Sequence, residues 1–273
     1  MKQDLQYAID LARAAGKIIL EQFGRVQRLT KTHAAATDEA VTETDRAAQR
    51  IIVDGLRKRF PTDGIVGEES DSGLSITSDV PDPLGRVWVI DPIDGTNNFI
   101  SGLENFAVCI GLMEQGSPVL GVVFDVTRNQ MYSSIKNEGA WLDGRQIATH
   151  PGPLDASSII MMTSNLLDKA GRLPAYAPRW LAQTNWKLRV LGTAALETVA
   201  VARGVAHGAI TVNGKLWDCV APAAIVLEAG GSITDFGGKN IFPFDLRNYD
   251  GAKVPYLAAA PEARDVLVDE MGR

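Results

Sequence analysis

The chain has 273 residues, with 27 Lys and Arg against 33 Asp and Glu, a formal charge of −6 with histidine neutral. Apolar residues make up 45% and charged residues 22%, the balance of an ordinary globular protein, which excludes a disordered chain, a collagen and a coiled coil. The acidic balance and the absence of any Lys/Arg run argue against nucleic acid as a partner. Apolar runs are short, Val220 to Leu227 among the longest and interrupted by Pro222, so no membrane-spanning segment is expected. Asp4 and Asp10 fall where a signal peptide needs apolar residues, so no secretory leader is expected. The two cysteines, Cys109 and Cys219, sit in apolar runs without a CxxC. That predicts reduced core thiols in a cytoplasmic protein.

Residues 4–23 place Leu5, Ala8, Ala12, Ala15 and Ile19 at three-to-four spacing before Gly24, which predicts an amphipathic helix. A polar, irregular stretch follows to residue 40. Thr42-Glu43-Thr44-Asp45 has capping-box form, so a second helix starts at Thr42 and ends before Pro61. Ile65-Val66 reads as a short strand leading to Glu68-Glu69, and residues 70–86 read as a long loop. Val87–Ile90 is a buried strand delivering Asp91. Ala107–Met113, Pro118–Val126 and Met131–Ile135 form an antiparallel meander. Beyond residue 150, strand-like runs (Ser158–Met162, Leu188–Leu191, Ala209–Val212, Tyr256–Ala260) alternate with helical ones (Thr193–Arg203, Cys219–Ala229, Pro261–Met271). The reading is two closely packed halves, an α+β half over residues 1–150 and an α/β half over 151–273.

The segment richest in chemistry is Val89-Ile90-Asp91-Pro92-Ile93-Asp94-Gly95-Thr96. An apolar strand delivers two acids, a proline that turns the chain and a glycine that lets backbone approach a ligand. Ligand sites in such sheets lie at strand ends. The Gly95 and Thr96 amides can form an anion cradle. Two carboxylates beside an anion cradle require cations between them, and Mg²⁺ binds through a few carboxylates plus substrate phosphate. Glu68-Glu69 follows another short strand, and Asp218 opens an apolar helix. On their own, Asp218 reads as a helix-dipole partner and Asp45 as part of its capping box.

Together these segments resemble the inositol monophosphatase family of metal-dependent, lithium-sensitive phosphatases. The likeness rests on Asp91-Pro-Ile-Asp-Gly-Thr-Asn-Asn-Phe99, on Leu216-Trp-Asp-Cys219 running to Gly231, on Gly192-Thr-Ala-Ala195, on Val41-Thr-Glu-Thr-Asp45 and on Gly67-Glu-Glu69. The resemblance implies a layered αβαβα sandwich, usually a homodimer, acting on a small phosphorylated metabolite. It implies two or three Mg²⁺ per site. Glu68, Asp91 and the Ile93 carbonyl would hold the first, Asp91, Asp94 and Asp218 the second, and a third would lean on Glu68. Most ligands thus fall in the first half, with Asp218 and the alcohol pocket in the second. The resemblance also assigns phosphate oxygens to the Gly95 and Thr96 amides. It gives the attacking water to Thr96, supported by Asp45, and to Glu69. Gly192, Thr193 and Ala194 would line the alcohol pocket.

Three positions depart from the family pattern. Thr211 stands where inositol-cleaving members carry an acid that contacts substrate hydroxyls, and His207 stands where they carry Asp. Both predict an altered alcohol pocket, with Thr211 in contact with substrate. The loop around Ala34–Ala36 has no clear counterpart of the family's lysine, Lys31 being the nearest. His33, His150 and His207 lie outside the metal motifs and read as non-catalytic. Histidinol phosphate, a 3′-phosphorylated nucleotide and fructose bisphosphate are alternative substrates. A phosphatase using a phospho-aspartate needs acids two residues apart, whereas Asp91 and Asp94 are three apart. A regulatory protein that kept the fold is the non-enzyme alternative, and it predicts loss of a metal ligand.

Overall fold

The computed structural model describes residues 1–25, 43–70, 77–164, 166–167, 171–182 and 185–272. The readings at Val41 and Thr42, at Lys31, His33 and Ala34–Ala36, and over 71–76 lie outside them. Helix α1 (Lys2–Gln22) buries Ala8, Leu11, Ala12, Ala15 and Ile19 along one face. Helix α2 (Glu43–Arg59) begins with Glu43 and Asp45 and ends with Arg57, Lys58 and Arg59, charges that match the helix dipole at both ends. The two pack together over one face of the first sheet.

That sheet contains β1 (Gly64–Gly67), β2 (Thr77–Asp79), β3 (Arg86–Asp94), β4 (Ala107–Glu114), β5 (Ser117–Asp125), β6 (Gln130–Ile135), β7 (Ala140–Leu142) and β8 (Arg145–Ile147). The short helix α3 (Thr96–Ser101) interrupts the series after β3. The strand order is β2-β1-β3-β4-β5-β6-β7-β8, with only β1 and β3 running parallel. The meander is where the sequence placed it. The expected loop over 70–86 instead contains β2, an edge strand of three residues, too short to show a period. β7 and β8 escaped for the same reason.

The second half adds β9 (Ile159–Met162), α4 (Tyr176–Ala182), β10 (Lys187–Arg189), α5 (Ala194–Ala202), β11 (Gly208–Thr211), α6 (Leu216–Glu228), β12 (Ser232–Thr234), β13 (Tyr256–Ala259) and α7 (Pro261–Gly272). Its sheet runs β10-β9-β11-β13-β12. The expected strand to Leu191 stops at Arg189, because Leu191 turns its N–H to the Glu197 side chain rather than to a strand. α5 and α6 lie between the two sheets, and α4 and α7 cover the outer face of the second. The layers are therefore α1/α2, sheet, α5/α6, sheet, α4/α7: the αβαβα sandwich. Cys109 and Cys219 are both buried and free in the middle of it.

Residues with no side chain let α6 lie flat on the first sheet. A Cβ on Gly121 of β5 would come within 2.3 Å of the Ala221 carbonyl, and one on Gly111 of β4 within 2.6 Å of Val220. This close approach carries the start of α6, and Asp218 with it, toward the end of β3.

Candidate active site

Strand β3 does not stop at Asp91. It continues to Asp94 with a register shift: Asp91 faces Cys109 and Asp94 faces Ala107, so three steps on β3 match two on β4. In a regular strand, residues three apart point to opposite faces. One extra residue in a bulge reverses that parity and re-aims the side chain. Asp91 and Asp94 consequently converge, and Asp218 joins them from α6. One carboxylate oxygen from each of the three lies within 4.8 Å of the others.

The three acids line a cavity of about 160 Å³. Glu68, Ile93, Gly95, Thr96, Gly192, Ala194 and Thr211 share its wall. Three helices begin there, α3 at Thr96, α5 at Ala194 and α6 at Leu216. Their N-terminal N–H groups and dipoles favour anions in the cavity. Asp94 takes two of these amides, from Ala194 at 3.1 Å and Ala195 at 2.8 Å. Asp218 accepts the Lys215 N–H at 2.7 Å.

Burial pushes Asp91 well above the usual carboxylate range, and Glu68, Asp218 and Asp94 add to the rise. Burial also raises Asp94 strongly, with Asp218 adding and the α5 amides opposing. The Asp91 Oδ1 atom is buried with no hydrogen-bond partner. Mutually repelling buried carboxylates with an orphan oxygen are what a divalent cation with oxygen ligands satisfies. The donor set therefore fits Mg²⁺.

Gly95 holds φ +94°, and a Cβ there would come within 2.7 Å of Thr193 Cγ2 and 3.1 Å of the Asn105 carbonyl. Gly95→Ala is expected to cost about 1–2 kcal/mol for the left-handed backbone alone, and more for the clash. Urea denaturation measures the loss. Affinity for inorganic phosphate is expected to fall with it, since the displaced backbone carries the Gly95 and Thr96 amides that the sequence reading assigns to phosphate.

The Thr96 hydroxyl lies 2.9 Å from the Ile93 carbonyl and 3.3 Å from Asp45 Oδ1. It has one proton, so turning it to Asp45 releases the Ile93 carbonyl toward the cavity. Asp45 is buried at 1% exposure in the first turn of α2. Glu69 is buried and, unlike Glu68, is not among the residues that line the cavity; its main chain is clamped by the Gln49 amide, which accepts the Glu69 N–H at 2.9 Å and donates to its carbonyl.

Thr193 turns its side chain under Gly95 while Gly192 and Ala194 face the cavity. Thr211 is on the wall and 1% exposed. Its hydroxyl, beside the Tyr256 phenol, forms no hydrogen bond of normal geometry. The expected part of His207 in the alcohol pocket is corrected: the ring stacks on His150 with centroids 4.0 Å apart, away from the cavity wall. At ~3.3 Å per strand residue, the four steps from Thr211 place it about 13 Å away.

Sequence reasoning passed over Gln49, Thr163, Ser164, Asn213 and Glu197. Thr163, Ser164 and Asn213 line the cavity from the second half. Glu197 is 1% exposed, and burial pushes it up to about 8 against the opposing pull of the Leu191 and Gly192 amides. A lone acid within Ala194-Ala-Leu-Glu-Thr-Val199 was the available signal, since buried acids require partners.

Known proteins share this arrangement of strands and helices. A fructose-1,6-bisphosphatase/inositol-1-monophosphatase of Thermotoga maritima is 35% identical over 240 residues, covering 88% of this chain and 88% of that protein. The Nus factor SuhB of Pasteurella multocida is 33% identical over 244 residues, covering 89% of this chain and 88% of its own length. The crystal structure of the extragenic suppressor protein suhB from Bartonella henselae superposes with a TM-score of 0.85 at 27% identity, covering 99% of each chain. The inositol monophosphatase family profile matches residues 1–267. With the carboxylate cluster, the strand-end bulge and the layered sandwich all in place, the chain belongs to the inositol monophosphatase family.

Proposed function

We propose that the protein is a Mg²⁺-dependent phosphatase that hydrolyses the phosphate monoester of a small alcohol. The observation that carries this reading is the convergence of Asp91, Asp94 and Asp218 beside the Gly95–Thr96 turn in one cavity. Glu68, Asp91 and the Ile93 carbonyl would hold one Mg²⁺, and Asp91, Asp94 and Asp218 another, with a third on Glu68. Bound there, the cations supply neutralisation of phosphate oxygens and a lowered pKa for the attacking water. The Gly95 and Thr96 amides hold phosphate oxygens at the N-terminus of α3. Thr96 Oγ1 would accept a hydrogen bond from the attacking water while donating its own hydrogen bond to Asp45 Oδ1, and Glu69 would orient or deprotonate the same water. Gly192, Ala194 and Thr211 would meet the alcohol, whereas the expected contact of Thr193 is corrected, its side chain being buried against Gly95.

Inositol phosphate is one candidate substrate, and histidinol phosphate, a 3′-phosphorylated nucleotide and fructose bisphosphate are the others. Phosphate release from each, with and without Mg²⁺, tests the reading; no release from any would sink it. Millimolar Li⁺ is expected to inhibit at saturating substrate, since a small cation fits the Asp91/Asp94/Asp218 cluster. A dose series without effect removes that expectation alone. A homodimer is proposed from the family likeness and is checked by light scattering.

Several relatives, the Pasteurella multocida protein among them, are named Nus factors, so a regulatory role is the second reading. The full carboxylate set in this chain favours the enzyme. Among the described residues no helix is long and apolar enough to cross a membrane.

A further inference from the structure

Leu191 and Gly192 leave the end of β10 without sheet partners. Both donate their N–H groups to one atom, Glu197 Oε1 on α5, at 2.7 and 3.0 Å. On its other side the same turn is held from the α3 region. The Leu191 carbonyl accepts from Asn98 Nδ2 at 2.8 Å and from Asn105 Nδ2 at 3.0 Å. Asn98 also ties itself to the Asn105 carbonyl at 2.8 Å. Arg128 grips Asn105 Oδ1 at 3.2 Å and is anchored on Asp125 at 2.8 Å. The clamp ties together two adjacent stretches of the cavity wall. Gly95 and Thr96 open α3, and the turn carries Gly192, whose carbonyl lies 3.4 Å from where a Cβ on Gly95 would stand.

We propose that Glu197 is a positioning residue: it holds the Leu191–Gly192 turn against the Gly95–Thr96 turn, so that Gly192 stands beside the phosphate end of the cavity where the alcohol part of the substrate sits. The proposal rests on the phosphatase reading above. A buried acid is retained in an apolar helix because one carboxylate oxygen can satisfy two outward-turned amides, which no apolar side chain can do.

The test uses inositol 1-phosphate as substrate and inorganic phosphate as inhibitor. Glu197→Ala should raise KM for inositol 1-phosphate by about tenfold or more with kcat changing by less than about threefold. Inorganic phosphate, which has no alcohol part, should keep its inhibition constant within about threefold. Glu197→Gln keeps an oxygen acceptor and should restore KM. The amides of Leu191 and Gly192 should exchange slowly with deuterium in the wild type and in Glu197→Gln, and fast in Glu197→Ala. A folded Glu197→Ala with unchanged KM overturns the proposal, as does a folded Glu197→Gln as impaired as the alanine variant. If Glu197→Ala does not fold, Asn105→Ala decides. It removes one donor to Leu191 and should raise KM about threefold, and an unchanged KM overturns the proposal. A wild type inactive on every phosphate monoester sinks the phosphatase reading itself. The exchange data then still decide the anchoring, which fails if amide protection does not depend on residue 197.

Discussion

Asp91→Asn and Asp94→Asn are each expected to lower Mg²⁺-dependent phosphate release by about a hundredfold or more while the circular dichroism spectrum stays that of the wild type. Removing a group that only supports a metal ligand commonly costs 10–100-fold, and these residues would be ligands themselves. The two variants differ in what else they disturb. Asp91 is buried among acids with an orphan oxygen, so replacing it with a neutral amide relieves repulsion. The metal-free Asp91→Asn protein should be at least as stable as the wild type. Asp94 also accepts two α5 amides. In Asp94→Asn one of them faces an NH₂ group, so that variant should lose about 1 kcal/mol.

Thermal denaturation in EDTA and in excess Mg²⁺ separates binding from folding. Occupying a site at a hundred times its Kd stabilises by ~2.7 kcal/mol. The melting temperature of the wild type should therefore rise with Mg²⁺, and that of Asp91→Asn should rise much less. Mg²⁺-dependent turnover retained in Asp94→Asn, with an unchanged spectrum, counts against cations held between these carboxylates.

Thr211→Glu is expected to shift substrate preference toward inositol 1-phosphate. Thr211 lies on the cavity wall, 1% exposed, with its hydroxyl beside the Tyr256 phenol. A carboxylate there accepts charge-assisted hydrogen bonds from substrate hydroxyls. Gaining such an acceptor is worth about 1–3 kcal/mol, roughly five- to two-hundredfold in relative kcat/KM. The Gly95 and Thr96 amides, proposed to hold the phosphate end, are unchanged by it. The added charge is buried near Asp218, so a lower melting temperature in EDTA should accompany the switch. Measuring kcat/KM for inositol 1-phosphate and for the best other substrate, in both proteins, decides the matter. If the wild type already prefers inositol 1-phosphate, the hydroxyl at Thr211 has no bearing on selectivity.

Much of this protein is determined locally. The face of α1, the meander from β4 to β6 and the helix opened by Leu216-Trp-Asp218 follow from apolar periodicity and turn residues, because each element needs a buried stripe of its own period. The carboxylates Glu68, Asp91, Asp94 and Asp218 are likewise visible one by one, as acids set just past apolar runs. Their convergence is not local. Residues three apart on a strand diverge, and only the bulge against β4, visible once β3 and β4 are paired, brings Asp91 and Asp94 together. Asp218 arrives because Gly111 and Gly121, distant in sequence, let α6 press onto the first sheet. The same holds for the supports. Gln49, Asn98 and Asn105 act on main-chain groups of other segments, and a hydrogen bond across a long sequence separation leaves no periodic trace. His207 shows the converse. Its position in the chain suggested the pocket, but a strand carries residues away at a fixed rise, and only the packed sheet decided that it would meet His150 instead.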